Sequence, residues 1–200
     1  MKKPVSKNAG AGAIMLGGSS CKDMFFEVPH EPDLVYYLYG PLEDEADYIE
    51  LIHELRYASP EKHITIHINS PGGSLYACMA IINAIDACQG EVLTVLDGEA
   101  SSAAAMIWLA GHVKAIASKM VVLMVHTAST GFMPTKLPEI KVSIEVTDKL
   151  IRMLIDELCE GVLTKEEFTD VYRGHDVYLT GDEIIKRMPE MVEPENEPEE

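Results

Sequence analysis

The residues with the clearest potential for chemistry are Ser101 and Ser102, which closely follow the apolar run 92–96. A β-prone run, a turn and the Ala-rich stretch 103–105 predict a strand that leads into a helix. Ser102 then lies at the junction, where the unpaired N–H groups of a helix N-terminus point outward. A serine there is a candidate nucleophile. The alternatives are that Ser102 is only a helix N-cap or that Ser101 is the exposed hydroxyl.

A serine hydroxyl acts as a nucleophile only with a base and a pocket for negative charge. The apolar segment 121–125 reads as a strand that ends on His126, a candidate base. The strand-like segment 64–69 leads into the turn Pro71-Gly72-Gly73, where backbone without side chains can approach a substrate oxygen closely. Strand ends are the usual position of catalytic groups in α/β folds, so these segments are candidates to complete the site.

Two other histidines compete with His126 for the role of base. His112 falls at the far end of the predicted Ala-rich helix, about 15 Å from Ser102 at the helical rise per residue, which excludes it. His175 is next to Asp176 in the sequence. Neighbouring residues in an extended chain point apart, so His126 is favoured over His175.

Alternating strand and helix signals predict an α/β fold with a mostly parallel sheet covered by helices. The spacing of Thr180 and Glu183 predicts a capping box for the last helix. The predicted order is strand 34–39, helix 43–57, strand 63–69, helix 75–88, strand 91–96, helix 102–111, strand 120–126, helix 138–160, short helix 164–172 and helix 180–187.

The order and spacing of these landmarks resemble the Clp-type proteolytic subunits, which are self-compartmentalising serine peptidases of the ClpP/crotonase fold. The resemblance covers roughly residues 34–188 and rests on segments 35–40, 68–73, 98–102, 124–126 and 176–180. It implies a head domain built on a parallel sheet of the ββα superhelix type. It also implies a projecting handle helix within about residues 127–160.

The resemblance implies a role for each candidate residue. Ser102 becomes the nucleophile, His126 the general base and Asp176 the acid that orients the imidazole. The backbone N–H groups of Gly73 and Ala103 become the oxyanion hole. No cofactor is implied, because no phosphate-binding glycine motif occurs in the chain.

A metal site is likewise not expected, because the seven histidines are scattered. His63 and His67 share a strand face, where exposure to solvent or to an interface is the default expectation.

Other acids and another dyad stay open beside this assignment. Asp170 and Glu167 compete with Asp176, although they lie on a Glu-rich segment that reads as a solvated short helix. A Ser-Lys dyad could use Lys114 or Lys119, which lie between a predicted helix and the next strand, where lysine is ordinarily solvated.

The sequence departs from the family pattern close to these residues. Ala103 stands where the family usually has Met, and Thr127-Ala128 stands where it usually has Gln-Pro. The loop 129–135 lacks the paired glycines expected for pairing with a substrate strand. These differences indicate a divergent member of the family.

The composition fits one globular domain, and the two ends of the chain differ from it in character. The chain has 200 residues, and its formal net charge of −17 argues against nucleic-acid binding, which needs clustered Lys and Arg. Residues 189–200 form an acidic tail that we expect to be disordered, and residues 1–33 a flexible arm, which in the family forms the axial gate.

The expected location is the cytoplasm. The cysteines, Cys21, Cys78, Cys88 and Cys159, follow no C-x-x-C spacing and read as free thiols in a reducing compartment. No apolar run is long enough to span a membrane, so no membrane partner is expected.

The resemblance also implies an assembly and a function. The helix 138–160 would be the handle that joins two rings, giving a homo-oligomer of stacked heptamers, a tetradecamer. Its apolar positions 144, 151, 154 and 155 are expected to be buried against a partner subunit.

The implied function is a serine endopeptidase that hydrolyses unfolded polypeptides inside the chamber, fed by a AAA+ unfoldase or processing phage capsid proteins. The alternatives are a crotonase-like acyl-CoA enzyme and a catalytically inactive barrel subunit.

Overall fold

The computed structural model describes residues 32–127, 136–188 and 191. The predicted arm over 1–33 except its last two residues, the loop over 129–135, and the acidic tail over 189–200 except Met191 lie outside the described residues, as does Cys21.

Six strands and six α-helices make up most of the described chain, in alternation except where β4 is followed by β5 and α4 by α5. The strands are β1 (Leu34–Tyr39), β2 (His63–Ser70), β3 (Glu91–Ser101), β4 (Val113–Ile116), β5 (Val122–Val125) and β6 (Val177–Thr180). The helices are α1 (Ile49–Arg56), α2 (Leu75–Asp86), α3 (Ala103–Ala110), α4 (Leu137–Leu158), α5 (Lys165–Tyr172) and α6 (Gly181–Arg187), and a 3₁₀ helix, Glu45–Tyr48, precedes α1.

The strands form one sheet in the order β1-β2-β3-β5-β6, with β4 beside β3. All pairs are parallel except β5 with β6. The strand β3 is the centre of the sheet: Leu93–Leu96 pair with β4, and Glu99–Ser101, at the carboxyl end, pair with β5. The predicted α/β class with a mostly parallel sheet is confirmed.

Helix α3 is anchored on the sheet by Trp108, which is fully buried. Its indole Nε1–H donates to the Ala115 carbonyl at 3.0 Å, and its own carbonyl accepts from the Thr94 hydroxyl at 2.7 Å. Because Thr94 lies on β3 and Ala115 on β4, these two hydrogen bonds fix the helix that follows Ser102 against both strands. A buried polar group costs free energy without a partner, and here each one has it.

The elements differ from prediction in four places. Strand β3 continues to Ser101, past the predicted end at residue 96, and β6 precedes the last helix. Strand β4 was not predicted, because four residues are too few for an alternating pattern to show. The predicted helix 43–57 is divided into a 3₁₀ turn and α1.

One face of the sheet carries an aromatic and polar cluster. The His67 ring stacks on Tyr37 with 5.0 Å between centroids, and its Nδ1 lies 3.0 Å from an Asp97 carboxylate oxygen. Asp97 also accepts from the Tyr39 hydroxyl at 2.7 Å. His67, expected to be exposed to solvent or to an interface, is therefore mostly covered by its own chain, with 27% of its side chain accessible.

Helix α4 has two halves with different surroundings. In its C-terminal half Ile155 is buried, and Ile151 and Leu154 pack on the core of the same chain. In its N-terminal half Val142, Ile144 and Val146 are exposed, and Ile144 is 44% accessible. Ile155 is therefore covered by its own chain, whereas Ile151 and Leu154 keep part of their surface accessible, and their contact with a partner subunit stays a prediction. No helix in the described part of the chain has the length and apolar character to cross a membrane.

Helices α5 and α6 are joined by an ion pair between Arg187 and Glu167. The guanidinium donates to both Glu167 carboxylate oxygens, at 2.7 and 3.0 Å, and to the Val162 carbonyl. These bonds and the capping bond from Thr164 lower the pKa of Glu167 from 4.5 to about 2. A carboxylate with a depressed pKa in the folded state stabilises the fold above its ordinary pKa, and that stabilisation is lost as pH falls toward the folded-state value.

We expect Glu167→Gln to lower the free energy of unfolding near pH 7 by on the order of 2 kcal/mol. The difference from the wild type should shrink between about pH 4.5 and about pH 2, because protonated Glu167 resembles the amide. Urea unfolding followed by circular dichroism across this pH range measures it. Glu166→Gln, which changes an exposed neighbour in the same helical turn, should give no such pH-dependent difference.

Candidate active site

Ser102 occupies the junction between β3 and α3 in a strained backbone conformation. Its φ is 57° and its ψ is −122°, and within the described ranges it is the one non-glycine residue with positive φ. Its N–H donates to the Met124 carbonyl at 2.8 Å, and its carbonyl accepts from the Met106 N–H at 3.3 Å. Such strain costs about 1–3 kcal/mol and persists only where the surroundings enforce it, which is common at reactive sites.

His126 lies beside Ser102 because β5 pairs with the end of β3. Ser101 is the register partner of Met124, so the first residues beyond the two strands meet at the same edge. The imidazole Nε2 is 2.8 Å from the Ser102 Oγ, a hydrogen-bond distance. The side chain of His126 is mostly covered, at 19% relative accessibility, so this contact is partly shielded from water.

Asp176 approaches the other side of the same imidazole. It precedes β6, and the antiparallel pairing of Val177 with Val125 places it opposite His126. The distance from His126 Nδ1 to Asp176 Oδ1 is 3.5 Å, longer than a good hydrogen bond, and the carboxylate side chain is half exposed. The structure thus brings all three predicted side chains together, with the Ser102 contact tighter than the Asp176 contact.

The turn Gly72-Gly73 passes directly over the Ser102 junction. Leu42 forms a parallel bridge with Gly73, in which the Leu42 N–H donates to the Gly72 carbonyl and the Leu42 carbonyl accepts from the Ser74 N–H, each at 2.8 Å. In such a bridge the N–H of the central residue, Gly73, points to the opposite side. Ala103 is the first residue of α3, so its N–H has no partner within the helix.

Position 72 requires a glycine for two reasons: its positive φ, and the lack of space for a Cβ. Its φ is +86°, and a Cβ there would lie 2.4 Å from the Ser101 carbonyl oxygen and 2.9 Å from the Ala103 nitrogen. The fully buried Ser70 hydroxyl accepts from the Gly72 N–H at 3.1 Å. The turn and the serine junction therefore touch backbone to backbone.

A small apolar cavity opens beside Ser102, with a volume of about 60 Å³. Its walls come from the N-terminal ends of α2 and α3 and from the C-terminal half of α4. The lining residues are Gly73, Leu75, Cys78, Ser102, Ala103, Met106, His126, Ile151, Leu154 and Ile155. Gly73, Ser102, Ala103 and His126 are thus among the residues that line it.

The competing hydroxyl and bases are engaged elsewhere. Ser101 is buried, and its hydroxyl donates to the Glu99 carboxylate at 2.6 Å. His112 Nδ1 accepts from the Val92 N–H at 3.2 Å, and its Nε2 lies 3.1 Å from the Ile85 carbonyl. His175 is exposed on the turn after α5.

The competing lysines and acids are also held away from Ser102. Lys114 donates to the Gly111 carbonyl at 2.7 Å, and Lys119 pairs with Asp182 at 3.2 Å. Glu167 is paired with Arg187, as described above. Within the described ranges, no group of three or more His, Cys, Asp or Glu side chains is arranged to hold a metal ion.

Sequence reasoning missed the part played by α4 in this site. Ile151, Leu154 and Ile155 form one stripe at helical spacing, and the stripe was interpreted as a contact between subunits. The structure places the stripe against α3 and the cavity. The spacing gives the apolar face of a helix, but it carries no information about which surface covers that face.

Comparison with known proteins finds similarity to the Clp protease family. The Clp protease family profile matches residues 34–186. The chain is 28% identical over 125 residues, 62% of its length, to ATP-dependent Clp protease proteolytic subunit 2 of Corynebacterium jeikeium, covering 60% of that protein. It is 30% identical over 129 residues, 64% of its length, to proteolytic subunit 1 of Corynebacterium glutamicum, covering 62% of it.

A further relative is proteolytic subunit 1 of Rhodococcus jostii, 30% identical over 101 residues, which are 50% of this chain and 46% of that protein. The chain therefore spans about half to three fifths of the length of the curated relatives it matches.

We expect Gly72→Ala to destabilise the fold more than Gly40→Ala does. Both glycines have positive φ, so each substitution carries a strain of about 1–2 kcal/mol. Only at Gly72 would the new Cβ also press on Ser101 and Ala103, because it meets nothing within 4 Å at Gly40. Urea unfolding midpoints of the two variants compare them, and equal losses would show that the turn does not bear on the serine junction.

Proposed function

The chain belongs to the Clp protease family, and from that premise we propose that it is a serine endopeptidase in which Ser102 is the nucleophile. The observation that carries the proposal is the 2.8 Å contact between Ser102 Oγ and His126 Nε2 at a strained strand-to-helix junction. A neutral imidazole at that distance can accept the hydroxyl proton as the oxygen attacks a carbonyl.

The proposed reaction begins with attack by Ser102 on the scissile carbonyl carbon. The hydroxyl proton passes to His126 Nε2, and the carbonyl oxygen becomes an oxyanion that accepts hydrogen bonds from the N–H groups of Gly73 and Ala103. His126 then gives the proton to the leaving amine as the C–N bond breaks, which leaves an acyl group on Ser102. A water molecule, deprotonated by His126 in the same way, hydrolyses the ester and restores the hydroxyl.

Asp176 orients the imidazole in this proposal. Its carboxylate lies on the Nδ1 side, so it favours the tautomer with hydrogen on Nδ1 and a free lone pair on Nε2. The 3.5 Å distance is loose, and catalytic hydrogen bonds often tighten only when substrate binds. Asp176 is therefore a weaker constraint on His126 here than the Ser102 contact is.

A crotonase-like acyl-CoA enzyme would use the Gly73 and Ala103 N–H groups without any nucleophile. That chemistry has no need of a histidine within hydrogen-bond distance of the Ser102 hydroxyl. The same contact disfavours an inactive barrel subunit, because the two reacting groups are present and correctly spaced. The peptidase is therefore the better account of the site.

The proposal includes a closed oligomeric chamber of stacked rings in the cytoplasm. It is supported by Ile144, which is exposed and, at helical spacing, extends the apolar stripe of Ile151 and Ile155 beyond the part of α4 that packs on the core, because exposed apolar surface of this kind is commonly covered by a partner. The relatives are named as subunits of ATP-dependent proteases, which favours a AAA+ unfoldase as the source of unfolded polypeptide.

We expect a small fluorophosphonate probe to modify Ser102 and no other serine. Ser102→Ala should abolish both labelling and peptide hydrolysis while the circular dichroism spectrum stays unchanged. Intact mass and peptide mapping locate the label. The matched control is Ser101→Ala, whose hydroxyl is bonded to Glu99 and not to His126, and this variant should still be labelled. Labelling of Ser101, or full turnover by Ser102→Ala, would contradict the assignment.

We expect the wild type to have a mass many times that of the 22.0 kDa chain, and Ile144→Asp to reduce it. A charge in the apolar stripe must be desolvated on association, which disfavours the contact. Light scattering coupled to size exclusion measures both. Ile49→Asp is the control, because Ile49 is also exposed, at 62% against 44% for Ile144, but lies on α1, away from the stripe. A monomeric wild type at micromolar concentration would refute the chamber.

A further inference from the structure

We propose that the basic segment 1–22 of this chain docks on the aromatic face of its own sheet and brings the Lys22 ammonium beside Asp97. The aromatic face is formed by four side chains of β1, β2 and β3: Tyr37, Tyr39, His67 and Asp97. The inference does not depend on the proposed peptidase function, because none of these four side chains lines the cavity beside Ser102.

The described chain covers one side of these strands and leaves the aromatic face open. The side chains of β2 alternate between the two sides, and Ile64, Ile66 and Ile68 are fully buried in the core that the strand shares with the helices. On the opposite side Tyr37 and Tyr39 are 61% and 54% accessible. Parallel strands such as β1, β2 and β3 are usually covered on both sides, so we expect a further segment to lie on this face.

The groups on the aromatic face suit a cation. The Tyr37 and Tyr39 rings are perpendicular, with 5.7 Å between centroids, and Tyr37 stacks on His67. The Asp97 carboxylate belongs to the same group, because it accepts from the Tyr39 hydroxyl and lies 3.0 Å from His67 Nδ1. The face of an aromatic ring attracts a cation, and a carboxylate beside it adds to that attraction. An ammonium group therefore matches this surface.

The negative charge of this face is not balanced by a basic side chain. Burial alone would raise the pKa of Asp97, but its hydrogen bonds with His67 and Tyr39 outweigh burial and lower that pKa, so the carboxylate is ionised at neutral pH. Glu99 lies two residues further along β3, on the same side of the strand. In the described ranges, neither acid forms an ion pair with a lysine or an arginine.

The segment 1–22 carries the complementary charge. It contains four lysines and none of the 33 aspartates and glutamates of the chain: Lys2, Lys3, Lys7 and Lys22. The remaining residues therefore carry a formal charge of −21, since the whole chain carries −17. A basic segment joined to so acidic a domain is attracted to it, and the attraction is strongest where carboxylates are not already paired.

The place where the segment joins the fold lets Lys22 reach the aromatic face. Lys22 precedes Asp33 by 11 residues, which span up to about 36 Å when extended. Asp33 immediately precedes β1, whose six residues rise about 20 Å to Tyr39. Of the four lysines Lys22 has the shortest connection, so closing it costs the least entropy. A tethered group also acts at an effective concentration in the millimolar range, which favours the same chain over a second copy.

Zero-length carbodiimide cross-linking of the full chain tests the contact, because the reagent joins an amine directly to a carboxylate. Peptide mapping should find Lys22 linked to Asp97 or Glu99 within a single chain of 22.0 kDa. Raising NaCl from about 20 mM to about 500 mM should lower the yield at least about threefold, because salt screens exposed charge pairs. Asp97→Asn combined with Glu99→Gln should remove the product, whereas Asp86→Asn, at an exposed acid on the last turn of α2, should leave it.

Acetylation of tyrosine by N-acetylimidazole is a second measurement that leaves the aromatic face itself unchanged. Lys22→Gln should raise the acetylation rate of Tyr37 at least about threefold, because the segment no longer shields the ring. Lys165→Gln, at an exposed lysine on α5, should leave that rate unchanged. Tyr57 is exposed just after α1, and it should react equally fast in the wild type and in both variants.

Three outcomes would overturn the inference. A product that joins two chains would show that the occupant is the segment of a second copy. Links from Lys22 only to acids outside β3 would show that the face binds nothing from this segment. Equal acetylation of Tyr37 in the wild type and in Lys22→Gln would show that the segment does not cover the face. None of these outcomes changes the labelling of Ser102, so the peptidase proposal is tested separately.

Discussion

The hydrogen bond from the Ser102 N–H to the Met124 carbonyl ties the end of β3 to β5 where the chain turns into α3. Because this bond extends the parallel pairing of Glu99–Ser101 with β5, it fixes the place of His126 relative to Ser102. Trp108 then holds α3 against β3 and β4, so the strained serine cannot relax by moving its helix. The geometry of the site is a consequence of sheet register, with few side-chain contacts of its own.

Helix α4 connects the site to the outer surface of the molecule. Its C-terminal half supplies Ile151, Leu154 and Ile155 to the cavity, and its N-terminal half exposes Val142, Ile144 and Val146. A helix of this length behaves as a rigid rod, so a contact made at one half constrains the other. These exposed apolar residues and the cavity wall therefore belong to one rigid element.

Local sequence patterns predicted most of the helices and strands. The features that the sequence did not predict depend on contacts between residues far apart in the chain. The Thr180-Glu183 capping box and the parallel sheet were predictable, because each depends on residues near one another in sequence or on regular periodicity. The continuation of β3 past Gly98 was not, because it depends on the Asn69 side chain accepting the Glu99 N–H at 3.1 Å. Because Ser102 and His126 both follow strand ends, the sequence indicated that they lie close together, while their catalytic roles stay a prediction. The position of Ile151 in the cavity wall beside α3 depends on tertiary packing, which no spacing encodes.

The antiparallel pairing of β5 with β6 has a consequence for biosynthesis. Asp176 meets His126 only after β6 has docked, and β6 is the last strand of the sheet. Domains emerge from the ribosome N-terminus first, so Ser102 and His126 exist in the nascent chain well before Asp176. The late strand thus delays completion of the three-residue cluster until nearly the whole domain has been synthesised. During translation, a partly folded chain therefore has the Ser102–His126 pair without the third member of the cluster.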